Sequence, residues 1–157
     1  MTPTPGTLSS PVWTVHCDGS AVPNPGRMGL GAVVTGPHGQ CHTVSQATDA
    51  PGCNNEAELR ALMAALALAR QHGASVLRVY SDSTILVKQL GVAPAAPVAP
   101  IARLAGLFDQ ARTLLEGFDQ VDFDWVPRAR NGAADALARH ALGLAPKAPP
   151  KWKHARR

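Results

Sequence analysis

The 157-residue sequence contains only three cysteines, and no two of them form a Cys-x-x-Cys pair. An odd number without such a pair argues against a disulfide framework and against a structural zinc site. The sequence also lacks a run of eighteen apolar residues, so we expect no membrane-spanning helix. Residues 1–11 lack the basic start and apolar stretch of a signal peptide, and we therefore expect a cytoplasmic protein.

Charged residues are scarce, at 17% of the chain, and they are unevenly distributed. Residues 147–157 contain five of the 15 basic residues and no acidic residue. The ten basic and eleven acidic residues that remain give residues 1–146 a net charge of −1. The sequence therefore predicts a nearly neutral body with a cationic end. Such an end is typical of segments that meet phosphates or acidic surfaces, or that keep a protein soluble.

The length favours a single domain, because 157 residues with 45% hydrophobic side chains are enough for one core. Residues 1–11 are rich in Thr, Pro and Ser and are predicted to be disordered. We place the folded domain at residues 12–145 and a basic tail at residues 146–157.

The spacing of apolar residues predicts the order β-β-β-α-β-α-α-β-α. The predicted strands are residues 12–18, 30–35, 40–46, 76–80 and 121–126, and the predicted helices are residues 55–72, 83–90, 101–116 and 131–142. Short turns between the first three strands indicate an antiparallel meander. The later strand–helix–strand connections imply parallel pairing with right-handed crossovers. We therefore expect an α/β fold with a mixed five-stranded sheet, three antiparallel strands followed by two parallel strands, flanked by helices.

Four of the eleven acidic residues lie at the ends of predicted elements, among apolar neighbours. Asp18 ends the first strand, Glu58 begins the long helix, Asp82 follows the fourth strand and Asp135 begins the last helix. The first and fourth strands can be neighbours in a mixed sheet, which would bring Asp18 and Asp82 together. The flanking helices could then bring the other two carboxylates to the same point.

Each of these carboxylates also has an ordinary structural explanation. Asp18 could close a turn before Gly19, and Asp82 could cap the helix that follows it. Glu58 could complete a capping box with Asn55. Asp135 could pair with a basic residue one helical turn later.

Taken together, four converging carboxylates would repel one another strongly without cations. A pair of divalent ions would relieve that repulsion, and hard oxygen ligands favour Mg²⁺ or Mn²⁺. Two such ions about 4 Å apart suit the cleavage of a phosphodiester.

The sequence resembles the type 1 ribonuclease H family over about residues 12–142. The motifs that carry the resemblance are Asp18-Gly19-Ser20 with Asn24-Pro25-Gly26, Asn54-Asn55 with Glu58, Ser81-Asp82-Ser83, and Asn131 with Asp135-Ala136-Leu137-Ala138. The resemblance implies a ribonuclease H-like sheet, two Mg²⁺ ions with Mn²⁺ as a possible substitute, and hydrolysis of the RNA strand of RNA–DNA hybrids. It further implies 5′-phosphate and 3′-hydroxyl ends.

The resemblance also assigns roles to the four carboxylates as catalytic metal ligands. Asp18 falls on the family's aspartate that bridges both metals. Glu58 and Asp82 fall on the ligands of the metal near the leaving group. Asp135 falls on the ligand of the metal that activates water.

The candidate substrate contacts carry over less directly. They are Asn24, Asn54, Asn55, Ser83, Arg128, Arg130, Lys151, Trp152 and Lys153. Asparagine offers a donor and an acceptor, which suits the RNA 2′-OH, but turn and cap chemistry explains these asparagines equally well. The last three residues interleave an aromatic ring with cations, which suits phosphate contact and stacking, and a solvated end is the alternative.

The sequence departs from the best-known bacterial members of that family. The loop before Asp135 lacks the usual histidine, and Arg128 or Arg130 is the candidate replacement. Residues 91–100 stand where those members carry a basic, tryptophan-containing protrusion. The leading hypothesis is a monomeric hybrid-cleaving endoribonuclease. The alternatives are a non-catalytic hybrid-binding module and a nuclease of the same fold with another nucleic-acid substrate.

Overall fold

The computed structural model describes residues 10–91 and 102–145. The strands are β1 (Val12–Val22), β2 (Gly26–Thr35), β3 (Cys41–Gly52), β4 (Val76–Ser81) and β5 (Gln120–Trp125). The helices are α1 (Asn54–Gln71), α2 (Thr84–Leu90), α3 (Ala105–Leu115) and α4 (Gly132–Ala141), with 3₁₀ turns at Ala102–Leu104 and Arg128–Arg130. The predicted N-terminal disordered segment and the predicted basic tail lie almost entirely outside the described residues.

The five strands form one sheet in the order β3-β2-β1-β4-β5. β1 pairs antiparallel with β2, and β2 pairs antiparallel with β3. On the other side, β1 pairs parallel with β4, which pairs parallel with β5. The predicted fold class is therefore confirmed, including the division into three antiparallel and two parallel strands.

Helix α1 forms the main hydrophobic core with one face of the sheet. Its buried leucines Leu59, Leu62 and Leu66 recur at helical spacing, with buried alanines between them. They belong to the same cluster of buried residues as Val15 of β1 and Val79 of β4. In the part of the chain that the structure describes, no helix is both long and apolar enough to cross a membrane.

Two glycines let helices approach the two faces of the sheet at backbone distance. A Cβ atom on Gly19 would overlap with the Ala57 carbonyl oxygen of α1, and one on Gly31 would overlap with the Ala134 carbonyl oxygen of α4. Because Gly19 and Gly31 face opposite sides of the sheet, α1 and α4 cover opposite faces.

The predicted end of the first strand at Asp18-Gly19-Ser20 is wrong, since β1 continues to Val22. Gly19 provides space for a helix and does not form a turn.

The other boundaries differ from the predicted ones by a few residues. β2 begins at Gly26 and β3 extends to Gly52, so both strands of the meander are longer than predicted. The predicted helix over 101–116 is divided into a 3₁₀ turn and α3, and residue 101 lies outside the described residues. Most of the connector that was expected at residues 91–100 also lies outside them.

We expect Gly31→Ala to destabilise the protein by about 1–3 kcal/mol, because the added methyl group must push α4 away from the sheet. The matched control is Gly106→Ala in α3, where an added Cβ meets nothing within 4 Å. That change should leave stability equal or raise it by up to about 1 kcal/mol through helix propensity. Urea denaturation of both variants would measure the difference. Equal stability of the two variants would contradict the close packing of α4 on β2.

Candidate metal centre

Three carboxylates from separate elements meet at one edge of the sheet. Asp18 of β1, Glu58 of α1 and Asp82 after β4 each offer an oxygen, and these oxygens lie within 4.8 Å of one another. The parallel pairing of β1 with β4 places Cys17 opposite Ser81, so Asp18 within β1 lies beside Asp82, which directly follows β4. Asp18 is buried, with 6% of its surface exposed.

Asp135 approaches the same group from α4. Its carboxyl group is close enough to Asp18 for a side-chain hydrogen bond. Together with Asp18 and Glu58 it lines a cleft of about 170 Å³. The remaining lining residues are Gly19, Ser20, Val22, Asn54, Arg128 and Arg139. The structure therefore brings all four predicted carboxylates to one place, with three of them in the tightest cluster.

Burial and mutual repulsion disfavour the ionised forms of this cluster. Burial, followed by the charge of Asp82, raises the pKa of Asp18 to about 7. Burial, followed by the charges of Asp18 and Asp82, raises the pKa of Glu58 to about 10, and Arg128 partly opposes this effect. Without a cation, the pair Asp18 and Glu58 therefore holds a proton at neutral pH.

The cluster fits a hard divalent cation. The Glu58 Oε2 atom is buried and has no hydrogen-bond partner among the described residues. A buried carboxylate oxygen without a donor is costly, and a cation would satisfy it. In the described ranges, 10–91 and 102–145, no arginine or lysine forms an ion pair with Asp18, Glu58 or Asp82. An all-oxygen ligand set is the one that Mg²⁺ and Mn²⁺ prefer.

Three of the ordinary explanations for the carboxylates are wrong. Helix α1 is capped by Cys53, whose Sγ accepts a hydrogen bond from the Glu56 amide at 3.4 Å, so Asn55 does not form a capping box with Glu58. Helix α2 is capped by Ser83, whose Oγ accepts from the Leu86 amide at 3.2 Å, so Asp82 is not the cap. A third, the turn at Asp18, fails because β1 continues past it.

A buried asparagine that the sequence analysis did not assign to the site connects its elements. The Asn131 Nδ2 group donates to the Cys17 carbonyl at 2.8 Å and to Asp82 Oδ2 at 3.1 Å. Its backbone carbonyl accepts from the Asp135 amide at 3.0 Å. Asn131 thus fixes the end of β1, the Asp82 side chain and the start of α4. Its position just before a helix that carries Asp135 was the signal that could have identified it.

The asparagines that were predicted to contact substrate make hydrogen bonds within the protein. The Asn24 Oδ1 atom accepts from the Asn54 amide at 3.1 Å, and Asn54 Oδ1 accepts from the Ala21 amide at 2.8 Å. These bonds join the end of β1, the following turn and the start of α1. Asn54 also lines the cleft, whereas Asn55 lies half-buried in the first turn of α1 and does not line it.

The basic candidates separate into two groups. Arg128 lines the cleft, and so does Arg139, which the sequence analysis considered only as an ion-pair partner. Arg139 also donates its Nε to the Ala145 carbonyl at 2.7 Å. Arg130 is exposed and does not line the cleft. The predicted contacts Lys151, Trp152 and Lys153 lie outside the described residues.

We expect the metal-free protein to lose stability as the pH rises. The pKa of Asp18 is higher in the folded state than in the unfolded state. Its protonation therefore stabilises the fold in full only at pH values below about 4, the usual pKa of an aspartate. That contribution is lost as the pH rises through about 7, and Glu58 extends the loss toward 10. Between pH 5 and 7 the contribution of Asp18 alone to the free energy of unfolding should fall by up to about 3 kcal/mol, since each pH unit corresponds to about 1.4 kcal/mol.

Denaturation of the metal-free protein at several pH values would measure this loss, with Asp18→Asn as the comparison. The variant should show a flatter profile and at least the wild-type stability at pH 8. Saturating Mg²⁺ should restore the stability of the wild type at pH 8. An unchanged slope in Asp18→Asn would contradict the proposed repulsion.

Comparison with known proteins identifies a family. The family described as reverse transcriptase-like matches residues 16–141. The bifunctional protein Rv2228c of Mycobacterium tuberculosis is 36% identical over 132 residues, 83% of this chain and 35% of that protein. The ribonuclease HI of Halobacterium salinarum is 37% identical over 127 residues, 81% of this chain and 62% of that protein. The chain therefore spans about a third to three fifths of the length of these relatives.

Solved structures agree with these similarities. The ribonuclease H1 of the halophilic archaeon Halobacterium salinarum matches with a TM-score of 0.76 at 34% identity, over 84% of this chain and 98% of that chain. LC11 ribonuclease H1, solved in complex with an RNA/DNA hybrid, matches with a TM-score of 0.71 at 27% identity, over 85% and 97%. The sheet order, the carboxylate cluster at Asp18, Glu58 and Asp82 and these matches lead to one conclusion: the chain belongs to the type 1 ribonuclease H family.

Proposed function

We propose that this protein is a divalent-metal-dependent endoribonuclease that hydrolyses the RNA strand of RNA–DNA hybrids. The observation that carries the proposal is the cluster of Asp18, Glu58 and Asp82, none of which forms an ion pair with a described arginine or lysine, with Asp135 beside Asp18. A structural cluster would carry arginine or lysine partners, because unpaired buried charges are strongly destabilising. A site that binds a divalent cation does not need such basic partners, because the cation neutralises the carboxylates.

Each of the four carboxylates has a proposed place in the site. Asp18 is central, since it lies within reach of Glu58, Asp82 and Asp135, and it would contact both ions of a metal pair. Glu58 and Asp82 would hold one ion, and Asp135 would help to hold the other. When bound, such ions supply charge neutralisation at the phosphate and lower the pKa of water to produce a nucleophile. An attack of water on phosphorus from the side opposite the 3′ oxygen would leave 5′-phosphate and 3′-hydroxyl ends.

The chain's own residues prepare the site for this reaction. Asn131 donates to one oxygen of the Asp82 carboxylate, Oδ2, and this hydrogen bond fixes the orientation of the group. The raised pKa values of Asp18 and Glu58 mean that at neutral pH the metal-free pair keeps at least one proton, which a bound cation would displace. Binding of metal should therefore release protons at neutral pH.

The preference for an RNA–DNA hybrid is supported by the relative that was solved with one. Asn54 is the described residue best placed to contact a 2′-OH, because it lines the cleft and only its Oδ1 is occupied by the Ala21 amide. Its Nδ2 group could donate to a ribose hydroxyl, which DNA lacks. Asn24, Asn55, Ser83 and the basic tail stay as predicted contacts.

We expect Asp18→Asn to abolish cleavage of labelled hybrid in Mg²⁺, by at least about a thousandfold, because it removes the central charged ligand. Hybrid binding should be kept or slightly tightened, since negative charge is removed near phosphates. The control is Glu56→Gln, two residues from Glu58 in α1, where the carboxylate pairs with Arg60 at 2.8 Å. This variant should keep most of the activity.

The same assay separates the alternatives. RNA duplex, DNA duplex and single-stranded RNA would be tested beside the hybrid, with Mg²⁺ and with Mn²⁺. Binding of hybrid without cleavage in either metal would favour the non-catalytic module. Faster cleavage of another nucleic acid would overturn the proposal that the RNA–DNA hybrid is the substrate. Near-normal cleavage by Asp18→Asn would overturn the metal centre itself.

A second expectation concerns the cations next to the cluster. Arg128→Ala should lower kcat/KM for hybrid by about tenfold or more, because Arg128 lines the cleft beside Glu58 and can contact a phosphate there. The matched variant Arg130→Ala removes the same charge from the same 3₁₀ turn outside the cleft, and its effect should be no more than about threefold. Steady-state kinetics at constant salt would measure both. Equal losses would indicate that only net charge matters.

A further inference from the structure

An exposed tryptophan lies beside the candidate metal centre and has no role in the hydrophobic core. Trp125 is 52% exposed, which is the highest value among the large hydrophobic side chains that are exposed in the described ranges. The other two are Val12 and Val22, each 46% exposed. A single exposed hydrophobic side chain is ordinary on a protein surface. Trp125 is distinguished by its place next to Asp82 and by a hydrogen bond that fixes its ring.

The structure fixes the orientation of this indole ring. The Trp125 Nε1 group donates a hydrogen bond to the backbone carbonyl of Asp82 at 3.1 Å. Trp125 is also the last residue of β5, where it pairs with Ser81, and the next amide, of Val126, donates to the Ser81 carbonyl at 3.0 Å. The polar edge of the ring is therefore bound to the protein, while much of its apolar surface faces solvent. A ring that is already ordered loses little entropy when it contacts a ligand.

The surroundings of Trp125 favour nucleic acid as the ligand. Asp82 belongs to the carboxylate cluster, and Arg128, three residues after Trp125, lines the same cleft. A strand whose phosphate lies at the cluster rises by about 3.4 Å per nucleotide, so the indole would meet a nucleotide one or two steps away. In a paired duplex the bases are stacked inside, and the surface that an aromatic ring can cover is the apolar face of a sugar.

We propose that Trp125 is a substrate-binding residue whose indole packs on the sugar of a nucleotide flanking the cleaved phosphodiester. This inference rests on the proposed function, because it needs a nucleic-acid duplex at the carboxylate cluster. It assigns binding to a side chain that neither the metal centre nor the core uses. It also explains why the polar edge of the ring is held by Asp82 while the ring itself is left open.

The experiment uses the full chain with Asp18→Asn, so that hybrid is bound without being cut, and a long, fully paired RNA–DNA hybrid as the probe. Tryptophan emission should shift to shorter wavelength when hybrid is added, because the exposed indole becomes covered. Trp152→Phe is added to the same background, so that this predicted contact cannot contribute to the emission, and in that protein Trp125→Phe should remove the shift. Trp13 is only 7% exposed and should contribute little.

Affinity measurements on the same background separate ring packing from the hydrogen bond to Asp82. Trp125→Ala should raise the Kd for hybrid by about tenfold, which corresponds to about 1.4 kcal/mol. Trp125→Phe keeps an aromatic face but no N–H donor, and it should raise the Kd by less than about threefold. Val12→Ala, which trims an exposed apolar side chain at the opposite end of β1, should leave the Kd unchanged.

Three results would overturn the inference while leaving the proposed function intact: an unchanged Kd in Trp125→Ala, equal losses in the Ala and Phe variants, or an emission shift only with single-stranded nucleic acid. If the Asp18→Asn protein with Trp125 intact binds no hybrid at all, the proposed function fails, and the inference fails with it.

Discussion

The parallel pairing of β1 with β4 is the constraint on which the site depends. It places Cys17 opposite Ser81, so Asp18 and Asp82 emerge from the same edge of the sheet. A shift of one residue would turn Asp18 toward the other face, because side chains alternate along a strand. The register is held by buried residues on both strands, including Val15 and Val79. The apolar core thus determines where two like charges meet, although those charges oppose the arrangement.

The close approach of α1 and α4 to the sheet completes the site, and it depends on two glycines that have no side chain. Gly19 lets α1 lie against β1, which brings Glu58 beside Asp18. Gly31 lets α4 lie against β2 on the opposite face, which brings Asp135 to the same end of the sheet. Both glycines therefore contribute by allowing backbone to meet backbone, and neither needs a positive φ. The repulsion among the carboxylates is offset by this packing, which is why the cluster can form before any cation binds.

The sequence predicted the elements and the carboxylates better than it predicted the local contacts. Apolar spacing identified all five strands, and the order of elements was sufficient for the mixed sheet. Cys53 was not recognised as the cap of α1, because a thiol is a weak acceptor and Asn55 is the stronger candidate by propensity. The end of β1 was missed because Asp-Gly-Ser is a common turn signal, and only tertiary contact shows that Gly19 faces α1. The hydrogen bonds of Asn131 and Trp125 could not be predicted, since their partners Cys17 and Asp82 are far away in sequence.

The choice of an amide at Asn131 is consistent with a site built for a cation. Asn131 gives Asp82 a buried hydrogen bond without bringing a positive charge. A lysine or arginine at this place would neutralise the cluster by itself and would compete with a divalent ion for the same carboxylates. A neutral donor fixes the geometry of the ligand and leaves the charge of the cluster uncompensated. The positive charge at the cleft comes from Arg128 and Arg139, which line it and can contact a phosphate there. The hydrogen bond that fixes Asp82 thus comes from a neutral amide, and the positive charge that can attract substrate comes from separate arginine side chains.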